Sequence, residues 1–306
     1  MGVGSFILPQ IGGTKEWQRP ADWLPMPTNI TETDEIFVGL HAVIENSDNY
    51  CAFSFTTSAG QYQVDWGDGN VTLHDSGTIA QYQYNYATLS NGTLSSRGYK
   101  QVMVKVTPVS GNLLTCNFQK RFETTPVQNQ PYSSGFLECI LSMPNASSGQ
   151  SITFGGGAIR HSYCEKLEIK TIGNATNMAN MFYNCYSLQS VPLFNTINVT
   201  KMSSMFNNCF SLNSIPAFTT TAVTTDFTNF ANGSNSLNRI LMSFNRTVAL
   251  QNCQLSKDAL VEIFTNLTNR TAKTSATIDI TGNWGASALT PADRLIATDK
   301  NWVITG

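Results

Sequence analysis

The chain has 306 residues, only 12% of them charged, and a formal net charge of -2. So little charge argues against electrostatic capture of nucleic acid or of an anionic membrane. No apolar run approaches the roughly 18 residues of a membrane span, so no membrane insertion is predicted. The stretch from Met1 to Pro9 lacks the basic region and apolar length of a secretory signal, and we therefore expect folding in the cytoplasm.

Residues 1–34 are predicted to form an extended arm rather than a domain. Prolines restrict both their own backbone and that of the preceding residue, and two tryptophans on such a segment need a surface to cover them. That surface belongs either to the next domain of the same chain or to a neighbouring subunit. In the second case the arm is an anchor, and its candidate residues are Trp17, Arg19, Pro20, Trp23 and Pro25.

Residues 35–126 contain short segments in which apolar and polar residues alternate. Gln61–Trp66 alternates and runs into Gly67–Asn70, where glycines suit the positive φ of a tight turn. Short strands separated by turns at this spacing are typical of a β-sandwich. Further period-two runs are Tyr82, Tyr84 and Tyr86, and then Val102, Val104 and Val106.

Val64-Asp65-Trp66-Gly67-Asp68-Gly69, the tyrosine alternation and then Gly98-Tyr99 together resemble a PKD-type Ig-like domain. The resemblance implies a spacer or adhesive module of extracellular or virion surfaces.

Asp65 and Asp68 are weak candidates for a calcium site, because carboxylates around a glycine-rich turn can bind Ca²⁺. Such acceptors more often satisfy the amides of their own turn. No other metal site and no cofactor are predicted. The chain has no C-x2-C pair, and its three histidines are scattered.

Residues 127–160 are rich in Ser, Asn and Gly and are predicted to be a linker and the N-terminal cap of a solenoid, with Phe136–Leu141 as a first strand. In residues 161–306, Asn177–Phe194 recurs as Lys201–Phe218 with every match displaced by 24 residues. A fixed period in the twenties indicates a leucine-rich-repeat solenoid. A third copy, with one inserted residue, extends to Ile240.

Each copy is predicted to contain a short helix and then an extended segment. Met178, Met181, Phe182 and Cys185 are spaced as one apolar stripe of a helix. The extended segment holds Leu188 and Val191 and stops at a proline. The cysteines are interpreted as small buried apolar residues, although stacked neighbours could form a disulfide in an exported chain.

The C-terminal part is predicted to close the solenoid with atypical elements. Helices are expected from Ser256 to Asn266 and from Thr290 onward, each with an N-cap residue. Strands are expected at Ala276–Ile280 and at Trp302–Ile304.

The repeat unit resembles BspA-type leucine-rich proteins of bacteria and mycoplasma surface proteins. This resemblance implies a β/α horseshoe used for binding, without catalytic residues. The predicted fold class is therefore mixed: an extended arm, a PKD-type Ig-like β-sandwich and a short α/β leucine-rich-repeat solenoid. Its candidate binding face consists of Asn180, Tyr183, Asn184, Ser204, Asn207 and Asn208.

No enzyme is predicted, since the chain has no G-x-S-x-G, Walker or H-E-x-x-H motif. The combination of parts resembles a virion surface protein of tailed bacteriophages. We expect a tail-fibre or appendage adhesin on the virion surface. The alternatives are a head decoration protein and a cell-surface bacterial adhesin. Expected partners are tail, portal-proximal or capsid proteins, a host glycan or protein, and further copies of the chain.

Overall fold

The computed structural model describes residues 17–45, 49–123, 135–149, 152–155 and 163–306. Within these ranges the chain is mostly β-structure with few helices. No helix among the described residues has the length and apolarity to span a bilayer. The strands are β1 (Ile36–Val43), β2 (Tyr50–Asp65), β3 (Val71–Asp75), β4 (Ile79–Gln83), β5 (Lys100–Asn117), β6 (Phe136–Ser142), β7 (Ile152–Thr153), β8 (Lys166–Thr171), β9 (Ser214–Ile215), β10 (Arg239–Ile240), β11 (Val248–Ala249), β12 (Ala276–Asp279) and β13 (Trp302–Thr305); the α-helices are α1 (Lys257–Asn266) and α2 (Pro291–Thr298).

The first eight strands belong to one sheet, in the order β3-β2-β5-β1-β6-β8, with β4 on β2 and β7 on β5. β2 and β5 are long and pair along most of their length, but their register shifts between Thr56 and Tyr62. Such irregularities bend and twist strands. One half of β2 consequently pairs with β4 and the other half with β3. The aromatic side chains of Phe37, Phe53, Phe55, Phe118 and Phe136 fill the core beneath.

The predicted glycine turn is confirmed, but two of the three predicted tyrosine positions lie outside the strand. Gly67 and Gly69 have φ of 78° and 96°, and a Cβ on Gly67 would lie 2.5 Å from the carbonyl oxygen of Met103. β4 ends at Gln83, so it contains Tyr82 but neither Tyr84 nor Tyr86. Tyr86 begins a short 3-10 helix, because the Asn85 side chain accepts a hydrogen bond from the Ala87 amide and turns the chain.

Residues 17–34 of the arm pack on the chain's own sheet, over β5, β1 and β6. Trp23 is 4% exposed, and its Nε1 donates to the Tyr99 hydroxyl at 2.9 Å. Farther along, Ile30 packs against Val38 and Ile140. Of the two destinations left open by the sequence, the structure therefore shows the chain's own domain for this part. Residues 1–16 lie outside the described residues.

Strand β6 connects the first sheet to the repeats, as the predicted capping strand. It pairs antiparallel with β1 and parallel with β8. The parallel pairing continues through a bridge between Lys166 and Ser190 and then through β9 and β10. One hydrophobic core runs through both regions. The domain boundary near residue 126 stays a prediction.

The predicted helix in each repeat is wrong: the segment Met178–Cys185 is a series of tight turns. Asn180 and Asn184 have φ of 60° and 61°, which no α-helix contains. The amides of Met178, Asn180 and Phe182 donate to carbonyl groups of the next coil at 2.9–3.0 Å. An isolated helix of this length is marginal, whereas these turns bond to the neighbouring coil. The predicted inward side chains, from Met178 to Cys185, are nevertheless buried.

The predicted C-terminal helices and strands are confirmed. The Ser256 side chain caps α1 by accepting from the Ala259 amide. Thr290 and Asp293 form a reciprocal capping box at the start of α2. The parallel sheet β11-β12-β13 closes the stack.

All seven cysteines are free and buried, as the interpretation of small apolar residues requires. The position after each turn series also carries a hydrogen-bond donor. Cys209 Sγ donates to the Phe182 carbonyl at 3.0 Å, and Cys253 Sγ to that of Ala231 at 3.2 Å. Ser234, which replaces cysteine in the intervening coil, donates to the Phe206 carbonyl at 2.5 Å. The position therefore favours a small side chain that can reach a carbonyl group of the preceding coil.

Candidate functional site

The candidate residues Asn180 to Asn208 lie along the turn series, and most of them serve the backbone there. Asn180, Asn184, Ser204 and Asn208 all have φ between 52° and 61°. Asparagine tolerates this left-handed region better than most residues because its short amide bonds locally. The repetition of asparagine in these turns therefore has a conformational explanation.

Two members of this predicted binding face are not exposed, which corrects the sequence interpretation. Asn184 is 5% exposed and Asn207 is 9% exposed. Asn184 Oδ1 accepts a hydrogen bond from Asn208 Nδ2 at 3.0 Å, so two coils are joined by an amide pair. Asn180 is exposed, and Tyr183, Ser204 and Asn208 are partly exposed. The predicted binding face along the turn series therefore has few amide groups that a ligand could contact.

A second surface, which we call the strand face, lies on the turn that follows the repeated cysteine and on the extended segment after it. Inside it, Leu188, Leu212 and Leu237 are buried at equivalent positions. The residues on either side of these leucines are exposed or partly exposed. The strand face consists of Tyr186, Ser187, Gln189 and Ser190 in one coil, Phe210, Ser211, Asn213 and Ser214 in the next, and Asn235, Ser236, Asn238 and Arg239 in the third.

Tyr186 and Phe210 form a stacked aromatic pair on this face. Their ring centroids are 4.6 Å apart and their planes differ by 14°. Phe210 remains 38% exposed and Tyr186 is partly exposed. The stack is a product of the repeat, since both residues come directly after the repeated cysteine. Because the rings cover one face of each other, the pair presents its edges and outer faces between the polar rows.

Backbone hydrogen bonds place the amide side chains of successive coils in one row. The amide of Asn213 donates to the Gln189 carbonyl, and the amide of Asn238 donates to the Asn213 carbonyl at 3.0 Å. Neighbouring strands bonded in this way lie about 4.8 Å apart. A parallel row of Ser190, Ser214 and Arg239 lies beside the amides, so donors and acceptors recur at the coil spacing.

The strand face carries almost no net charge. Between Lys170 and Asp226 the sequence has one charged residue, Lys201. Lys201 is exposed at the beginning of the turn series, where its backbone bridges to Asn177. Arg239 at one end binds Glu262 at 2.7 Å, and this contact raises the pKa of its guanidinium. At the other end Glu165 binds Arg97. Arg239 and Glu165 are therefore paired within the chain, whereas Lys166, whose backbone bridges to Ser190, lies over the Trp17 ring.

Trp284 adds an exposed aromatic group near the C-terminal end of the face. Its side chain is 67% exposed, and its Nε1 donates to the Gln254 carbonyl at 2.8 Å. The Gln254 amide in turn donates to the Leu237 carbonyl of the third coil. The indole is thus held beside the coil that comes after the third one.

Sequence reasoning missed the strand face, although the repeat contains a signal for it. It selected asparagines in a segment interpreted as a helix, where they would have been solvent-facing. The residue after the repeated cysteine differs between the two copies, Tyr186 in one and Phe210 in the other, but it is a large aromatic in both. A surface that only faces solvent does not require an aromatic there. Gln189 and Asn213 likewise keep an amide at one register.

The Asp65 and Asp68 carboxylates satisfy their own turn. Asp65 Oδ1 accepts from the Gly67 amide at 2.9 Å, and Asp68 Oδ1 accepts from the Asn70 amide at 3.1 Å. Asp68 Oδ2 accepts from the Tyr82 hydroxyl at 2.8 Å. Burial, together with this carboxylate, raises the pKa of Tyr82 to about 12. In the described part of the chain, no three or more His, Cys, Asp or Glu side chains gather as metal ligands.

The arm residues assemble a local latch on their own chain. Arg19 Nε binds Glu138 Oε2 at 2.7 Å, and Trp17 Nε1 donates to Glu165 Oε2 at 3.1 Å. Trp17 also packs 6.2 Å from Trp23. Pro20 accepts from the Trp23 amide in a turn, and Pro25 is exposed. Of the five candidate anchor residues, the three with the largest side chains therefore contact this chain.

The stacked coils match a known family. Residues 161–277 match the family described as "Mycoplasma protein of unknown function, DUF285". The match includes the whole strand face and ends within β12, while β1 to β7 lie outside it. No curated protein and no solved structure matches the chain.

Proposed function

We propose that the chain is a non-enzymatic adhesin that contacts a host surface through the strand face. The main support for this proposal is the strand face, a surface with little net charge that has a stacked aromatic pair and regular rows of amide and hydroxyl groups. Polar groups placed around exposed aromatics are typical of recognition surfaces. A repeat stack also provides the extended surface on which such binding proteins depend.

Two finer assignments of fold belong to this proposal. We interpret the sheet of β1–β5 as a PKD-type Ig-like sandwich that acts as a spacer. We interpret the stacked coils as a leucine-rich-repeat solenoid of the BspA type. The turn series in place of helices makes each coil thin, which suits a rod-like appendage.

We further propose that the protein is part of a tailed-phage virion, as a tail fibre or appendage. This proposal rests on the combination of a spacer module and an adhesive repeat module. Anchoring is assigned to residues 1–16, because Trp17, Arg19 and Trp23 contact their own chain. Tail or capsid proteins would be the partners of that segment.

Immunogold electron microscopy of source particles and cells tests the location. Label at the tail tip supports the fibre. Label over the head supports the decoration protein instead, and label confined to cells supports a cellular adhesin. Incorporation of a variant that lacks residues 1–16 then tests the anchor: normal incorporation would contradict that assignment. A longer deletion is unsuitable, since it would uncover the sheet beneath Trp23.

A further inference from the structure

We propose that the ligand of the strand face is a neutral glycan, a chain of uncharged hexopyranose units laid across the coils. This inference rests on the proposed adhesin function and adds the chemical class of the receptor. It is carried by three features of the face: the aromatic pair, the spacing of the amide rows and the lack of net charge.

The aromatic pair supplies a platform for the apolar side of a sugar ring. A pyranose exposes axial C–H groups on one side, and the electron-rich face of an aromatic ring attracts such weakly positive hydrogens. Tyr186 and Phe210 stack face to face, so the sugar would lie on the outer face of the partly exposed Phe210 ring. Phe210 has no polar group and remains 38% exposed among polar side chains, so it can contact the apolar side of a sugar.

The amide and hydroxyl rows supply hydrogen bonds at a repeating distance. Gln189, Asn213 and Asn238 lie one coil apart, and Ser190 and Ser214 run beside them. A coil step of about 4.8 Å is comparable with the length of one hexopyranose unit. Side-chain amides both donate and accept hydrogen bonds, as sugar hydroxyls do. Consecutive sugar units can therefore bind to the amides of consecutive coils.

The charge distribution selects an uncharged ligand. Of the charged groups that border the face, Arg239 and Glu165 are paired with Glu262 and Arg97. Lys166, which bridges to Ser190, lies over the Trp17 ring instead. An anionic polysaccharide would need unpaired cations, since polyanion binding depends on Lys and Arg. A protein receptor would favour a desolvated apolar centre. The exposed apolar residues Leu193 and Ile197 of the same coils instead lie beyond Pro192, after the extended segment.

The test measures the binding of full-length protein to cellotetraose, N-acetylchitotetraose and maltotetraose, with a heparin tetrasaccharide as the anionic comparison. We expect saturable binding to at least one neutral tetrasaccharide and none to the heparin fragment. Tyr186→Ala/Phe210→Ala should reduce the affinity at least about tenfold, equal to about 1.4 kcal/mol. Leu193→Ala/Ile197→Ala is the matched control, because it removes two exposed apolar groups from one of the same coils, and its affinity should not change.

Failure of this inference is distinguishable from failure of the adhesin proposal. Adhesion of the fluorescently labelled protein to host cells is measured before and after mild periodate treatment, which cleaves sugar diols. Adhesion that survives periodate, or preference for the heparin fragment, would overturn the glycan assignment while leaving an adhesin. Binding of a neutral tetrasaccharide without adhesion to cells would support the glycan site and contradict the adhesin.

Discussion

The sheet of β1–β5 and the stacked coils bury similar aromatic side chains in different ways. In the sheet, Phe37 contacts Phe53, Phe55, Phe118 and Phe136 at 4.8–6.3 Å in one irregular cluster. In the coils, Phe206 lies 5.3 Å from Phe182, its counterpart in the preceding coil, and 5.4 Å from Phe230, which occupies the Met205 position of the next coil. A substitution in the sheet cluster therefore affects many partners a little, whereas a substitution in the coils weakens the interfaces with the two neighbouring coils.

This difference has a consequence for stability. In a repeat stack each unit contacts only its neighbours, so stability is a sum over successive interfaces. β6 belongs to both systems, because it pairs with β1 and with β8. We therefore expect the coils to depend on the sheet as their N-terminal cap.

The largest effect is expected from a charge inside the stack. Phe206 is fully buried between two coils, and Phe206→Asp would bury an unpaired carboxylate there. We expect a loss of more than about 4 kcal/mol in the free energy of unfolding. Circular dichroism during thermal unfolding measures it. Phe210→Asp, four residues later on the partly exposed side, is the control and should lose only its stacking on Tyr186, about 1 kcal/mol. Equal melting temperatures for Phe206→Asp and wild type would contradict the repeat register.

A slightly smaller effect is expected from the latch on the sheet. Trp23→Ala removes a buried indole and its hydrogen bond to Tyr99. It also removes the cation–π contacts that the indole makes with the guanidinium groups of Arg19 and Arg97, at 5.7 and 5.5 Å. We expect a loss of about 3–5 kcal/mol and faster proteolysis of the arm. Chemical denaturation and timed trypsin digestion measure the two effects.

The control for the latch is Trp284→Ala, which removes an indole that is mostly exposed. Its stability should stay close to wild type. If Trp23→Ala were equally harmless, the arm would not be part of the sheet's core.

The sequence predicted which side chains are inside better than it predicted the backbone that carries them. Met178, Met181, Phe182 and Cys185 are buried as expected, although no helix forms. A stripe at i, i+3, i+4 and i+7 also fits successive turns when asparagines adopt positive φ. Such turns depend on hydrogen bonds to the next coil, and these bonds cannot be predicted from the residue pattern of a single coil. The C-terminal helices were predictable because their caps, Ser256 and Thr290, act locally.

The candidate site was harder to predict for the same reason. A helix would place Asn184 and Asn207 on its exposed surface, so the sequence pattern favours them over the residues of the strand face. The stacking of Tyr186 on Phe210 joins residues 24 positions apart, and only the translation from coil to coil brings them together.

The turn asparagines separate backbone strain from hydrogen bonding. Asn208→Ala puts an alanine at φ 57° and removes the bond to Asn184, and it should cost about 1–2 kcal/mol. Asn208→Gly also removes the amide but accepts this φ, so it should cost less than alanine. Urea denaturation ranks the two variants. An alanine variant as stable as the glycine variant would show that the left-handed turn carries no strain.

The smallest effect is expected where the stack ends, at the Asp293 carboxylate. It accepts bonds from the Thr290 hydroxyl and amide at 2.6 and 2.7 Å and pairs with Lys257 of α1 at 2.9 Å. The Thr290 side chain and then Lys257 lower the pKa of Asp293 to about 2. Because the folded pKa lies below the usual value of about 3.9, the stabilisation is present above pH 4 and is lost as the pH falls toward 2.

Asp293→Asn should therefore melt lower than wild type at neutral pH, and the gap should narrow between pH 4 and pH 2. Lys257→Met serves as the comparison, since it removes the second contribution but keeps the Thr290 bonds, and most of the acid dependence should persist. Melting temperatures measured at half-unit steps of pH test both expectations. Parallel curves for wild type and Asp293→Asn would exclude this carboxylate as a source of acid sensitivity. The terminal coil would then depend on packing and uncharged hydrogen bonds, as the interior coils do.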